Sequence, residues 1–381
     1  MSKVHITLVG GQPAPVYHGI VATQPDYVLY VCSKSADSKR TLKVLKKVLQ
    51  HIPCAWYFLD PTDPSAIKEF AESSAEQFKD DEVTVNISGG LKSWTFWFSI
   101  VFDKQPNAAI VYMDQNNVLW NYRTMESSTG FEFDMHTLFR LYRNPLENYT
   151  SFNVYDEDDF AAIQEIEACR SFNYDDFNKL TTVLSKESQH CVRQQIEGSM
   201  HLPNSMSYIK WNKNAADGKQ EVELCIYKKD KCIQKQIRST HAMELVFYAG
   251  WFECKVAKIL SSWTHSKDIC MNCHFPFKED IDKNEVDIII NTGTKILFVE
   301  CKTQIHDTTA IDKFRSVIKG YGGTASKGLF VTDAKMTDIA KEKCREHGIL
   351  TYSLRDNHMG MSHEEAIAAL LDNELYNINA R

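Results

Sequence analysis

The sequence predicts an α/β protein with two main domains, and three observations support this fold class. Strand and helix patterns alternate over residues 1–145, which is typical of a parallel sheet covered by helices. Much later, two apolar strands joined by a polar turn carry acidic side chains on one face. The length of 381 residues also exceeds what one hydrophobic core usually contains, so two domains are expected.

The first domain, residues 1–145, alternates predicted strands with helical segments. The strands are short apolar runs, namely Val4–Val9, Tyr27–Cys32, Cys54–Leu59, Glu82–Ile87 and Ala108–Met113. The helical patterns between them include Ser38–Leu49, Pro64–Phe78 and Trp94–Phe102. This order predicts a Rossmann-like, doubly wound parallel sheet.

Three polar or glycine-rich loops follow strands of this sheet, where such folds bind ligands. They are Gly10-Gly11-Gln12-Pro13, Ser33-Lys34-Ser35 and Ser88-Gly89-Gly90-Leu91-Lys92-Ser93. The N–H groups of Gly89 and Gly90, at the start of a helix, could hold a phosphate with Lys92 as counter-charge. Neither the dinucleotide fingerprint nor the Walker pattern is present. The same loops could also be simple tight turns.

Residues 146–238 have a less regular pattern and are predicted to be a connecting region. Helical patterns cover Ala161–Cys169 and Tyr174–Ser185, and Glu221–Tyr227 with Lys231–Ile237 predicts a hairpin. A winged-helix-like fold is an alternative, but the turn lysines are equally explained as solvated residues.

The last domain, residues 239–381, predicts a restriction-endonuclease-like core around the acidic hairpin. Its other elements are helix His241–Leu260, strand Asp268–His274, helix Thr309–Gly320, strand Gly328–Thr332, helix Thr337–His347 and strand Ile349–Tyr352. In such an order, the first helix can supply a further acid to the hairpin.

The hairpin lies within residues 284–304, and its turn is predicted to centre on Thr292-Gly293. That register places Asp287 opposite Phe298 and diagonally across from Glu300. Strand side chains alternate between faces, so Glu300 and Lys302 lie on the face of Asp287. The hairpin thus predicts an acidic pair with a lysine.

These residue types suit metal-dependent hydrolysis of a phosphodiester. Carboxylates bind Mg²⁺ or Mn²⁺, which activates water, and Lys302 can orient that water or offset charge on the phosphate. Glu253 is the expected further acid, preferred to Glu244 because a neighbouring apolar stripe turns it inward. The alternatives are a solvent-facing pair of Glu300 with Lys302, and a surface ion pair for Glu253.

The composition limits the function classes. A net charge of −7 argues against a protein that coats nucleic acid nonspecifically. The eleven cysteines are scattered and odd in number, which favours thiols in a reducing compartment. The sequence shows neither a signal peptide nor an apolar run long enough to span a membrane. A cytoplasmic protein is expected.

One cysteine motif, Cys270-Met271-Asn272-Cys273-His274, has the spacing of a c-type haem attachment site. Such attachment accompanies export, and the motif falls in a predicted strand. A zinc site with Cys270, Cys273 and either His265 or His274 lacks a second ligand pair at the usual spacing. Buried thiols are the favoured interpretation.

Taken in order, the motifs resemble one family, the type III CRISPR ancillary nucleases, across nearly the whole chain. That family joins a CRISPR-associated Rossmann-fold (CARF) sensor to a PD-(D/E)xK nuclease domain. The resemblance rests on Leu8-Val9-Gly10-Gly11-Gln12-Pro13, Ile87-Ser88-Gly89-Gly90-Leu91-Lys92, Gly250-Trp251-Phe252-Glu253, and Asp287 with Glu300-Cys301-Lys302.

The resemblance implies a homodimer that binds a cyclic oligoadenylate across its two-fold axis, with cyclic tetra-adenylate as the expected form. The ligand would activate a Mn²⁺- or Mg²⁺-dependent endonuclease that cuts single-stranded DNA or RNA in antiviral defence. The implied ligand-binding residues are Gly10, Gly11, Gln12, Ser33, Lys34, Ser88, Gly89, Gly90 and Lys92. Leu91 departs from the small polar residue that family members often carry there.

The resemblance also implies roles in the nuclease domain. Asp287, Glu300 and the backbone carbonyl of Cys301 would hold the metal, Lys302 would assist the attacking water, and Glu253 would complete the catalytic set.

Two other interpretations of the function remain open. The chain could be a nucleotide-sensing binding protein whose nuclease-like domain is structural, although a protein without catalysis has no need of the full Asp, Glu and Lys set. It could also be a restriction or repair nuclease without a ligand switch. Such an enzyme has little use for a Rossmann domain with phosphate-type loops.

Overall fold

The computed structural model describes residues 1–114, 118–128, 134–182, 192–215, 217–247, 249–275, 285–305, 308–321, 326–356, 358 and 360–376. The end of the predicted helix Tyr174–Ser185 and the first residue of the predicted hairpin segment, Asn284, lie outside these ranges. Within the described ranges, no helix has the length and apolar character needed to cross a bilayer.

The N-terminal part is built on a seven-stranded sheet in the order β3-β2-β1-β4-β5-β6-β7. Its strands are β1 (Lys3–Val9), β2 (Tyr27–Cys32), β3 (Cys54–Phe58), β4 (Glu82–Asn86), β5 (Ala108–Met113), β6 (Leu119–Asn121) and β7 (Glu126–Ser128). The first five are parallel, as predicted, and β6 and β7 add an antiparallel edge. The strand order reverses at β1, so β1 and β4 meet at the switch point of a doubly wound sheet.

Helices connect these strands and cover the sheet. They are α1 (Pro13–Thr23), α2 (Ala36–Val48), α3 (Pro64–Gln77), α4 (Lys92–Asp103) and, after the sheet, α5 (Met135–Leu141). Helix α2 shows why the sequence folds this way: the Ser35 side chain accepts a hydrogen bond from the Ser38 amide at its N-terminus, and Leu42 and Leu45 are buried. Helix α1 was not among the predicted elements.

The region predicted as a connector forms a four-stranded antiparallel sheet with two helices. These elements are α6 (Glu157–Phe172), α7 (Tyr174–Thr181), β9 (Glu197–His201), β10 (Tyr208–Asn212), β11 (Gln220–Lys228) and β12 (Lys231–Ser239). The predicted hairpin is confirmed as β11 with β12. Before α6, strand β8 (Asn148–Ser151), which was not predicted, pairs with a strand of the last sheet.

The last part contains a six-stranded mixed sheet in the order β17-β16-β15-β14-β13-β8. Its strands besides β8 are β13 (Asp268–His274), β14 (Glu285–Asn291), β15 (Ile296–Lys302), β16 (Ser326–Thr332) and β17 (Ile349–Ser353). Its helices are α8 (Ala242–Phe247), α9 (Gly250–Ser261), α10 (Thr309–Tyr321), α11 (Asp338–Glu346) and α12 (His363–Tyr376).

One prediction for this part was wrong, because His241–Leu260 is not a single helix. It divides into α8 and α9 at Ala249, whose φ of 59° is left-handed and ends regular α-helical geometry. Gly250 follows because the chain turns tightly there: a Cβ at this position would lie 3.0 Å from the Glu244 carbonyl oxygen. The break lets α9 begin in a new direction, with Glu253 in its first turn.

A single hydrophobic core joins the predicted connecting region to the last part. It includes Ile166 of α6, Trp211 of β10, Trp251 of α9, and Ile288 and Leu297 of the hairpin. The opposite face of the hairpin, with Ile289 and Phe298, belongs to a second core. Both faces of β14 and β15 are therefore covered, which explains their nearly continuous apolar sequence.

Candidate functional site

The hairpin of β14 and β15 differs in register from the prediction by two residues. Phe298 pairs with Ile289, not with Asp287, and Asn291 pairs with Ile296. The turn spans residues 292–295 because side chains fix it there: the Asn291 side chain accepts from the Gly293 amide, and the Thr292 hydroxyl accepts from the Lys295 amide. A shift of two preserves the faces, so the acidic face is the one predicted.

The structure brings Asp287, Glu300 and Lys302 together, as the sequence predicted. Beyond the Ile288–Val299 pair, Oδ2 of Asp287 accepts the backbone N–H of Cys301 at 2.7 Å. Nζ of Lys302 lies 2.7 Å from Oε1 of Glu300 and 3.4 Å from Oδ2 of Asp287. The two carboxylate side chains are 11% and 15% exposed and are largely shielded from water, whereas the Lys302 side chain is 38% exposed.

Burial dominates the electrostatics of this cluster. It raises the pKa of Asp287, although the Lys302 charge and the Cys301 amide oppose the rise. Burial and the Asp287 charge raise the pKa of Glu300 to about 7. Burial alone would lower the pKa of Lys302, but the charges of Asp287 and Glu300 raise it. The lysine therefore stays charged between two acids that are costly to ionise.

Glu253 lies in the same electrostatic field, whereas Glu244 has a structural role. Burial first, and then the charge of Asp287, raise the pKa of Glu253 well above its ordinary value. Glu244 accepts hydrogen bonds from the Tyr155 hydroxyl at 2.7 Å and from the Asn272 side chain at 3.0 Å. The Asp287 charge therefore acts on Glu253, whereas the Glu244 carboxylate is engaged in two hydrogen bonds.

The lysines next to Glu253 do not pair with it. Lys255 forms an ion pair with Glu167 at 2.5 Å, and Lys258 approaches Glu157 at 3.8 Å. The alternative of a surface ion pair for Glu253 with either lysine is therefore wrong.

The donor set of the cluster suits a hard divalent cation. Two carboxylates and the carbonyl of Cys301 offer oxygen ligands, which Mg²⁺ and Mn²⁺ prefer. Among the described residues, no three His, Cys, Asp or Glu side chains already form a metal cage. Instead, the Lys302 ammonium lies between the two carboxylates and supplies their positive charge. A bound cation would lower the pKa of these buried acids, because its charge favours their ionised forms.

In the first sheet, the loops after β1 and β4 touch at the switch point. A Cβ at Gly10 would come 2.0 Å from the Gly89 carbonyl oxygen, and one at Gly89 would come 2.6 Å from the Leu8 carbonyl oxygen. Only glycine allows this approach of two backbones. The predicted glycines therefore have a structural reason to be there, in addition to any contact with a ligand.

Two helices begin at this edge without a side-chain cap. Gln12 precedes α1 and Leu91 precedes α4, and neither side chain accepts a hydrogen bond from its helix. The start of α4 carries backbone N–H groups and a positive partial charge that attract anions, whereas Pro13 and Pro15 at the start of α1 have no N–H to offer. The side chains of Lys34 and Lys92 are exposed at the same loops. The edge thus has the chemistry of a polyphosphate site.

The two predicted serines are engaged in holding the loops. The Ser88 hydroxyl donates to the Asn86 side chain at 2.6 Å and accepts from the Met113 amide at 2.7 Å. The Ser33 hydroxyl donates to Ser38 at 2.9 Å. Asn86 was not among the predicted residues, although a polar residue ending a buried strand was a usable signal.

Tyr142 was also not predicted to belong to this edge, and its hydroxyl donates to Oε1 of Gln12 at 3.0 Å. It reaches the loop from beyond α5, which no local pattern indicates.

The cysteine motif in β13 belongs to the interior. Cys270 and Cys273 are buried in the second core of the sheet. Burial raises the pKa of Cys270 to about 12 and that of Cys273 well above its usual range, so both thiols stay protonated.

Two family models match separate parts of the chain. Residues 4–139 match the family model of the Card1 CARF domain. Residues 241–361 match the model of the Card1-like endonuclease domain. The curated proteins include no match.

Solved structures resemble the whole chain. Can2 from Sulfobacillus thermosulfidooxidans, in complex with cyclic tetra-adenylate, is 16% identical, with 98% of this chain and 99% of that chain covered and a TM-score of 0.63. Protein VC1899 from Vibrio cholerae is 15% identical, with coverage of 92% and 94% and a TM-score of 0.67. A type III CRISPR defence DNA nuclease activated by cyclic oligoadenylate is 14% identical, with 97% of this chain but 52% of that chain covered and a TM-score of 0.57. At these identities the likeness is one of fold.

Proposed function

Because this chain belongs to the type III CRISPR ancillary nucleases, with a CARF domain and a Card1-like endonuclease domain, we propose that a cyclic oligoadenylate activates it to cut single-stranded nucleic acid. The observation that carries the proposal is the cluster of Asp287, Glu300 and Lys302 at the end of the β14–β15 hairpin. An acidic pair at this position, with a charged lysine between its members, is what metal-dependent phosphodiester hydrolysis requires.

In this proposal, Asp287, Glu300 and the carbonyl of Cys301 hold Mn²⁺ or Mg²⁺. The bound cation would polarise the phosphodiester and lower the pKa of water. Lys302 keeps its proton, because two carboxylates stabilise its charge, and can therefore donate hydrogen bonds to the attacking water or to the phosphate. Glu253, with its raised pKa, is suited to hold or release a proton close to Asp287.

The activator would bind at the edge formed by the loops after β1, β2 and β4. Its phosphates would meet the N–H groups of Gly89 and Gly90, the uncapped start of α4 and the ammonium groups of Lys34 and Lys92. Gly10, Gly11, Gln12, Ser33 and Ser88 would complete this site. Cyclic tetra-adenylate is the proposed ring, since Can2 was solved with that ligand and has the same fold.

A homodimer is part of the same proposal. A ring with internal symmetry suits a two-fold interface, where each subunit supplies the same loops. Helix α4, which begins at these loops, and the residue before it expose apolar side chains: Leu91, Phe96 and Ile100 are 43%, 56% and 38% exposed. Such side chains support a subunit contact next to the ligand. Activation would then be a shift towards the dimer arrangement that binds the ligand better.

A cytoplasmic location completes the proposal. The described cysteines are all free thiols, as expected in a reducing compartment where type III CRISPR defence operates.

A substrate and activator panel tests the proposal. The purified protein would be incubated with labelled single-stranded DNA, single-stranded RNA and duplex DNA, in Mn²⁺ or Mg²⁺, with cyclic tetra-adenylate, cyclic hexa-adenylate or neither. We expect cutting of single strands that requires the metal and rises strongly with one ring. Equal cutting without a ring would favour an unswitched nuclease, and ligand binding without any cutting would favour the binding-protein alternative.

A further inference from the structure

A cavity of about 380 Å³ lies between α6, α7, α8 and α9, beside the end of β15. Thr303, which directly follows Lys302, contributes to its wall. Trp251 forms part of its floor and belongs to the same helical turn of α9 as Glu253. The volume falls in the range of small-molecule sites, and two lining residues, Thr303 and Trp251, are close in sequence to Lys302 and Glu253 of the proposed nuclease centre.

The described lining of the cavity includes aromatic side chains and two arginines. Phe247 and Trp251 are 4% and 3% exposed, so they form a fixed apolar base. The guanidinium of Arg170 lies 5.1 Å from the Tyr174 ring and 5.3 Å from the Trp251 ring. Aromatic rings and guanidinium planes are the groups on which unpaired nucleobases stack.

The described lining of the cavity contains two arginines and no acidic side chain. Arg170 forms an ion pair with Asp333, but Arg355 pairs with the same carboxylate at 3.1 Å. One negative charge is therefore shared by two positive ones. Arg193, an exposed residue of the cavity wall, has no ion-pair partner in the described part of the chain. In a chain of net charge −7, this local positive excess is suited to a phosphate backbone.

A packing role explains only part of these observations. Burial of Trp251 and Phe247 stabilises the core regardless of any ligand. It does not explain an open cavity above them, or the placement of two arginines and a tyrosine around its opening.

We propose that this cavity is a nucleotide subsite that holds one base of the strand being cut. The base would stack on Tyr174, and Arg193 would attract the adjoining phosphate. The inference rests on the proposed nuclease function and adds to it, since a base can enter the cavity only when it is unstacked and unpaired. The cavity therefore gives a structural reason for a preference for single strands.

Oligonucleotides with one abasic position test the subsite. Binding would be measured by fluorescence anisotropy on the full chain carrying Glu300→Gln, with activator and Mg²⁺, for a series in which the abasic position moves along the strand. We expect affinity to fall about tenfold at one position only, which is the size of one lost stacking contact. Tyr174→Ala should weaken binding of the intact strand similarly and remove the position dependence, whereas Tyr174→Phe, which keeps the ring, should retain both.

Arg193→Gln provides a second test that does not disturb packing, because this residue is exposed. It should weaken every strand of the series equally and reduce the salt dependence of binding. An abasic effect that is uniform along the strand, or one that survives Tyr174→Ala, would overturn the subsite. A different result would contradict the nuclease proposal alone. If binding depends on the abasic position but the wild type cuts no strand, the subsite is supported and the catalytic proposal is contradicted.

Discussion

Replacing Glu300 with glutamine should stabilise the metal-free protein while removing its activity. In the folded chain, burial and the Asp287 charge raise the pKa of Glu300 from 4.5 to about 7. A carboxyl group with a raised pKa contributes stability that is fully present below pH 4.5 and is lost as the pH rises through 7. Each pKa unit corresponds to about 1.4 kcal/mol, so ionised Glu300 costs roughly 3 kcal/mol at pH 8.

Glutamine keeps the shape of the side chain but carries no charge. We therefore expect Glu300→Gln to raise the free energy of unfolding by up to about 3 kcal/mol at pH 8, and by no more than about 1 kcal/mol at pH 5, where little of the cost applies. Urea unfolding in EDTA at both pH values measures this difference. Glu69→Gln, at an exposed position of α3, is the matched control and should change stability little at either pH.

Added Mn²⁺ should reverse the order of stability. A cation present at a hundredfold excess over its dissociation constant stabilises the folded state by about 2.7 kcal/mol. The wild type should gain this stability and Glu300→Gln should gain much less, while its cleavage rate falls at least a hundredfold. A Glu300→Gln variant that is less stable than the wild type at pH 8, or a stability difference that is the same at both pH values, would contradict this prediction.

Three further predictions concern other parts of the chain. His5 is buried and its pKa is lowered to about 3, so it is neutral in the folded chain and stability is lost as the pH falls below 6.5. In urea unfolding, the wild type should lose about 2 kcal/mol more than His5→Gln between pH 7 and pH 5. Equal losses would contradict this prediction. Asp333→Asn leaves the nearly buried Arg170 guanidinium without its carboxylate, so the free energy of unfolding should fall by about 3 kcal/mol. A fall of less than about 1 kcal/mol would show that water already solvates this ion pair. Lys92→Ala should raise the activator concentration for half-maximal cleavage about tenfold without lowering the maximal rate. Lys104→Ala, at the other end of α4, should change neither quantity. An unchanged activator requirement in Lys92→Ala would show that Lys92 does not belong to the ligand site.

The sequence predicted the elements whose patterns are local. Strands such as Tyr27–Cys32 were predicted to the residue, because a short apolar run between polar turns has few other solutions. Strand β8 was missed because Asn148–Ser151 is polar and lies at the edge of its sheet, where no alternation of burial marks it. Helix α1 was missed because its sequence, PAPVYHGIVAT, combines prolines, a glycine and β-branched residues that disfavour helices.

In the candidate site too, the features set by a local sequence pattern were predicted and the others were not. Asp287, Glu300 and Lys302 were predicted together because one hairpin brings them together, and even the wrong register kept their common face. The register error arose from side-chain hydrogen bonds of Asn291 and Thr292, which a residue pattern does not contain.

Contacts between distant segments were beyond prediction. The shared core of the predicted connecting region and the last part, like the cavity next to Thr303, forms only when α6 and α7 pack on α9. The ligand-binding roles of the first-domain loops remain predictions.

The central claim is that the hairpin cluster cuts nucleic acid only when the CARF domain has bound its ligand. The most direct test is the single-turnover cleavage rate of labelled single-stranded DNA and RNA. It would be measured for the wild type and for Lys302→Ala, with and without cyclic tetra-adenylate, and activator binding would be measured on the same samples. We predict that both proteins bind the activator equally, that the wild type cuts only when it is bound, and that Lys302→Ala cuts at least a hundredfold more slowly. Equal cutting by the two proteins, or cutting by the wild type that ignores the activator, would contradict the claim.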